Sequence, residues 1–145
     1  MNLLTTYSND EIRKIIFEAY INPKYKKSKI ELKDNTIFEH SNICVDDLKI
    51  NLIWENDNLI EVEYEAVGCL IFLSSVDLFI EFVLNKSKSE IANILDQYFE
   101  MINLNDKSKT YCEIKKLQVF RNVKVHFNRL ECASIIYRAF KKGIA

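Results

Sequence analysis

Apolar residues recur along this chain first with helical spacing, then with strand spacing, then with helical spacing again. From Asn9 to Tyr20 the apolar set Ile12, Ile15, Ile16, Ala19 and Tyr20 falls on one helical stripe. Ser8 or Asn9 is placed to cap this helix, Asp10 and Glu11 suit its positive end, and Pro23 stops it. The basic stretch Lys24–Lys29 reads as a solvated loop, and Ile30–His40 holds a candidate first strand. The pattern then changes period. Leu48, Ile50, Leu52 and Trp54 alternate with polar residues, as do Ile60, Val62, Tyr64 and Ala66, and the polar run Glu55–Asn58 lies between them. This predicts a β-hairpin with one buried face.

The rest of the chain reads as helical. Cys69–Asn85 is apolar on most faces and is expected to be a central helix beneath the sheet. Ser89–Ile102 repeats the helical pattern, with Ser87 or Ser89 as cap. Asn103–Thr110 reads as a polar loop and Tyr111–Phe120 as a short helix. A last helix is expected over Asn128–Lys142, capped by Asn128, with Lys141 and Lys142 at its negative end and Gly143 closing it. Helix, strands, then helices is the order of an α+β fold: a small antiparallel sheet packed on helices.

Composition narrows the functional classes. The 145 residues are 48% hydrophobic, enough for one domain over 1–145 that buries roughly two thirds of its unfolded surface. A net charge of −1 provides no field for nucleic acid or an anionic membrane. Leu70–Val83 is interrupted by Ser74, Ser75, Asp77 and Glu81, so no membrane span is expected. Met1–Asp10 has no basic segment followed by an apolar one, so the chain is expected to be cytoplasmic. In a reducing compartment its four cysteines read as metal ligands, redox groups or core filler.

Three of them fall at predicted boundaries. Cys44 precedes the hairpin, Cys69 follows it at the start of the central helix, and Cys132 is expected in the first turn of the last helix. A helix N-terminus favours a thiolate, the form that ligates metal or attacks a persulfide. Asp46, two residues after Cys44, offers a carboxylate. Three thiolates and one carboxylate satisfy a tetrahedral zinc ion. Spacing alone does not bring them together. There is no CxxC pair, and isolated cysteines are commonly small buried hydrophobes. Cys112 reads as a partly buried thiol, while His40 and His126 read as ordinary hydrogen-bonded histidines, with His40 the nearer substitute ligand. Tyr7, Tyr20 and Tyr25 read equally as packing or as a partner surface.

Five segments, in order, resemble the IscU/SufU/NifU-like family of iron–sulfur cluster assembly proteins. Tyr20-Ile21-Asn22-Pro23-Lys24 is similar to its YxNPRN element, and Asn42-Ile43-Cys44-Val45-Asp46 to its PxCGD loop. Asp57–Cys69, DNLIEVEYEAVGC, resembles the strand written DGxIxDAxFxGxGC. Ser74-Ser75 resembles the small start of the next helix, and Arg129-Leu130-Glu131-Cys132-Ala133 the RxxCA start of the last one. An insert over Gln97–Val119 is similar to the SufU-like branch. Val45 stands where the family has Gly, Glu131 where it has His or Lys, and the proline before RxxC is missing.

The resemblance implies the family fold and a shared site. Cys44, Asp46, Cys69 and Cys132 would hold zinc, or the three cysteines a transient [2Fe–2S] cluster. Arg129 would lie close by and Cys132 would accept sulfur. The implied partner is a pyridoxal-phosphate cysteine desulfurase, with other cluster-assembly proteins beside it. The implied role is zinc-dependent sulfur acceptance and onward transfer, as a carrier rather than a stand-alone enzyme. The alternatives are a cluster scaffold, or an interaction module with a structural zinc. Glu131 is expected to make the site more negative.

Overall fold

The computed structural model describes residues 7–145, with the backbone alone for Phe127. The reading of the first six residues as free of a leader lies outside the described residues. Helix α1 (Asn9–Ile21) is capped by Ser8 in a reciprocal box with Glu11. Three strands follow, β1 (Ile37–His40), β2 (Asp47–Glu55) and β3 (Asn58–Val67), antiparallel in the order β1-β2-β3. Helices α2 (Leu70–Val83), α3 (Lys88–Asn103) and α4 (Phe127–Ile144) complete the fold, with 3₁₀ turns over Cys112–Phe120 and Val123–Val125. None of the described helices is long and apolar enough to cross a membrane.

The hairpin forms where expected, but its turn is tighter. Asn56 and Asp57 both take positive φ, 52° and 67°, so two residues close it with the twist that antiparallel strands favour. A register shift at Ile53/Trp54 breaks the alternation nearby. In consequence Leu59, not Ile60, faces the core; Ile60 is exposed. Beyond the shift Val62, Tyr64 and Ala66 are buried, as are Leu48, Ile50 and Leu52 on β2.

Lys24–Lys29 is not simply a solvated loop. Lys27 N–H donates to Tyr64 O at 2.7 Å, and Lys26 and Tyr64 form a parallel bridge. The segment thus covers the open edge of β3. It is pinned by buried Asp77 of α2, which accepts from Lys24 N–H (2.9 Å), Tyr25 N–H (3.1 Å) and Tyr64 O–H (3.0 Å). Burial raises the Asp77 pKa, while these three donors act against that rise.

α2 is the central helix, buried from Phe72 through Ile80. Ser74 and Ser75 satisfy their hydroxyls on the preceding helical turn. α3 starts at Lys88, with Ser87 and Glu90 as its capping box. The expected short helix at Tyr111–Phe120 is a 3₁₀ segment broken at Ile114 and Lys115. Within the segment 97–119, residues 97–103 continue α3 and the 3₁₀ segment begins at Cys112.

α4 differs from expectation at both ends. It starts at Phe127, with His126 rather than Asn128 at the cap position and no side chain capping it. Gly143 lies inside the helix instead of closing it. A β-carbon there would stand 2.4 Å from Leu52 Cδ1 and 3.2 Å from Ile37 Cδ1. The missing side chain lets α4 lie against β1 and β2.

Candidate metal and thiol site

Three elements meet at one end of the sheet: the loop between β1 and β2, the junction of β3 with α2, and the second turn of α4. The loop is built on Ser41. Its Oγ accepts from Ile43 N–H (3.1 Å) and Cys44 N–H (3.2 Å), and its N–H donates to Asp46 O (3.0 Å). That tight turn presents Cys44 and Asp46 on the same side. Val45 is not among the described residues with positive φ, so a β-branched residue fits the backbone here.

Asp46 is 1% exposed. Oδ1 accepts Cys69 N–H at 2.9 Å, and Oδ2 lies 3.1 Å from Cys44 Sγ and 3.8 Å from Cys69 Sγ. One oxygen therefore anchors the loop to the start of α2 and the other faces the thiols. Gly68 makes this approach possible, because a β-carbon there would stand 2.3 Å from Asp46 Oδ1 and 2.5 Å from Phe72 Cδ2.

Cys69 is the N-cap of α2, and its Sγ accepts Phe72 N–H at 3.4 Å. It is exposed, Cys44 is half-buried and Cys132 is buried. Cys132 Sγ lies 3.1 Å from Cys69 Sγ and 3.7 Å from Cys44 Sγ, so it touches both other thiols. Bonds of about 2.3 Å to sulfur around a tetrahedral ion place sulfurs about 3.8 Å apart; the Cys44–Cys132 separation matches this, and the 3.1 Å between Cys69 and Cys132 is shorter. Among the described residues, the donor atoms of Cys44, Asp46 and Cys132 all lie within 4.8 Å of one another.

One expectation fails here. Cys132 is the sixth residue of α4, in its second turn instead of the expected first. The helix-end position is therefore held by Cys69, the N-cap of α2, and not by Cys132. Burial, then Asp46 and the neighbouring thiols, pushes the Cys132 pKa well above the ordinary thiol range. In metal-free reduced protein, limiting iodoacetamide should alkylate Cys69 first and Cys132 last. Peptide mapping by mass spectrometry reads the order, and early labelling of Cys132 would contradict the geometry.

A family model for the NifU-like N-terminal domain matches residues 11–133. The chain belongs to that family. A relative from Bacillus subtilis, named zinc-dependent sulfurtransferase SufU, is 23% identical over 145 residues, covering 99% of this chain and 92% of its own. A Borreliella burgdorferi protein of uncharacterised role is 28% identical over 115 residues, 79% of this chain and 78% of its own. The crystal structure of an iron–sulfur cluster assembly scaffold protein for the SUF system from Fervidobacterium islandicum superposes with a TM-score of 0.79. That match has 21% identity and covers 96% of both chains.

Two charged residues closely precede Cys132 in this NifU-like chain. Arg129 lies in the first turn of α4 and is exposed, and its side chain makes no hydrogen bond or ion pair among the described residues. Glu131 is not a loose negative charge beside the thiols. Arg138 grips both its oxygens, at 3.3 Å (Nη1) and 3.1 Å (Nη2). Nothing in the sequence pattern marked Arg138; the signal available was its position two turns after Glu131 on the same helix. His40 and His126 are exposed, and neither joins the donor cluster. Cys112 lies in the 3₁₀ segment, outside that cluster.

Proposed function

We propose that this protein serves iron–sulfur cluster assembly by accepting sulfur at the thiol cluster and passing it on. The observation that carries the reading is the convergence of three thiols and one anchored carboxylate, with one thiol exposed and another in contact with both its neighbours. Cys44, Asp46, Cys69 and Cys132 would hold a zinc ion, which keeps bound thiols deprotonated at neutral pH. The family membership and the zinc-dependent SufU relative support this choice of ion. The three thiols also suit a [2Fe–2S] cluster carried as cargo, the reading favoured by the scaffold description of the Fervidobacterium protein.

The proposed donor is a cysteine desulfurase using pyridoxal phosphate, in a reducing cytoplasm. A thiolate of this chain attacks the outer sulfur of the donor's persulfide. A new S–S bond forms on this chain, the donor's S–S bond breaks, and the donor leaves as a thiolate. Exposed Cys69 is the thiol such a donor meets first. Cys132, whose sulfur lies 3.1 Å from that of Cys69, then attacks the outer sulfur as a thiolate; the bond from that sulfur to Cys69 breaks and Cys69 leaves as a thiolate. Cys132 is the proposed acceptor because it touches both other thiols, not because of a helix end.

The test is sulfide release from cysteine by the desulfurase of the same organism, with and without this protein. Wild type should raise turnover, Cys132→Ser should remove most of the gain, and Cys112→Ser should leave it intact. Equal stimulation by Cys132→Ser would remove Cys132 from the role.

A further inference from the structure

The Cys44 loop and the Cys132 helix belong to different elements, and one side chain joins them from outside the thiol cluster. Arg138 Nη2 donates to His40 O at 3.3 Å, and its Nε lies 3.4 Å from Glu39 Oε1. The same guanidinium holds Glu131, the residue before Cys132. Glu39 is 9% exposed and takes a second cation, Lys142, at 2.6 Å. His40 ends β1, and the next residue is Ser41, whose hydroxyl orders Ile43 and Cys44.

The path thus runs from Cys132 through Glu131 and Arg138 to His40, Ser41 and Cys44. Two carboxylates meet two cations, so the network adds little net charge beside the thiols. Its effect is positional.

We propose that Arg138 is a positioning residue that holds the Cys44 loop in register with Cys132, tying β1 to α4 through Glu39, Glu131 and the His40 carbonyl. Removing it frees the loop to swing while Cys69 and Cys132 stay in place on their helices. The consequence for a bound ion rests on the metal reading of the site; the consequence for the loop does not.

Amide hydrogen exchange on metal-free protein tests this directly. Arg138→Met keeps the apolar bulk and removes the charge. Ile43 and Cys44 amides should exchange roughly tenfold faster, the scale of losing one or two charge-assisted hydrogen bonds. Amides of α3 should keep wild-type rates, and Arg138→Lys should restore part of the protection. Glu39→Gln weakens the same anchor from the β1 side, leaving the Arg138–Glu131 pair on α4 in place, and should act in the same direction. In a second arm, Co²⁺ loaded on the protein should pass to a chelator roughly tenfold faster from Arg138→Met. Wild-type exchange at Ile43 and Cys44 in both variants would overturn the proposal. So would an even loss of protection across the chain, which marks a purely structural role. If wild type takes up no Co²⁺, the metal reading falls, and amide exchange still decides on Arg138.

Discussion

Gly68→Ala should destabilise the metal-free protein by roughly 1–3 kcal/mol, the range for forcing atoms into a packed site, and should also abolish tight metal binding. The added carbon would stand 2.3 Å from Asp46 Oδ1, 2.5 Å from Phe72 Cδ2 and 3.0 Å from Asp46 Cα. Neither neighbour is a free side-chain end. Asp46 is fixed by the Cys69 N–H and by the Ser41 turn, and Phe72 is wholly buried in the core. Relief must come from moving the β3–α2 junction or the Cys44 loop, and either movement separates Asp46 from the thiols. Urea denaturation and metal titration read the two effects. A variant with wild-type stability and affinity would mean that the junction yields without disturbing the donors.

Asp46→Ala should have the larger effect on metal. It removes the single carboxylate of the cluster, so the loss in affinity should exceed the roughly 10–100-fold typical of losing a partner one step removed from an ion. It also leaves the Cys69 N–H without its acceptor, a cost of about 1–3 kcal/mol if water cannot replace it. A cluster reconstituted on this variant should persist longer than on wild type, as the family resemblance implies. Competition with a chromophoric chelator and the decay of cluster absorbance are the measurements. Unchanged affinity together with unchanged cluster lifetime would place Asp46 outside the coordination sphere.

Much of this architecture was legible because period and caps are local properties. The Ser8–Glu11 and Ser87–Glu90 boxes and the alternation on β2 each need only a few residues. Ile60 was misread because the register shift at Ile53/Trp54 depends on how two strands pair, which neither strand's pattern records. Gly143 was misread because a glycine at a helix end and one pressed against Leu52 look alike in sequence.

Legibility at the site was similarly divided. The ordered motifs named Cys44, Asp46, Cys69 and Cys132, and the structure brings their donor atoms together. Cys132 falls in the second turn because α4 starts two residues earlier than an Asn128 cap implies, with His126 at the cap position. Cys69 keeps the helix-start position expected for it, as the N-cap of α2, and is exposed. Arg138 was missed because its partners Glu39 and His40 lie about a hundred residues earlier in the chain, at |i−j| of 99 and 98.

The core also bears on the structural-zinc alternative. A continuous apolar core runs from α1 through β2, β3, α2, α3 and α4; Cys132 is a small part of it and Cys44 packs against its edge. Chelation should therefore leave a folded protein, unlike a domain whose folding energy comes from its ion.

Under the proposed function, sulfur from a desulfurase comes to rest on this thiol cluster. Mass spectrometry of the intact protein, after incubation with the desulfurase and cysteine and then rapid quenching, tests it most directly. The protein should gain one sulfur atom that reductant removes, mapped to the Cys132 peptide and absent from Cys132→Ser. A folded, metal-binding protein that gains no sulfur, or gains it on Cys112, would contradict it.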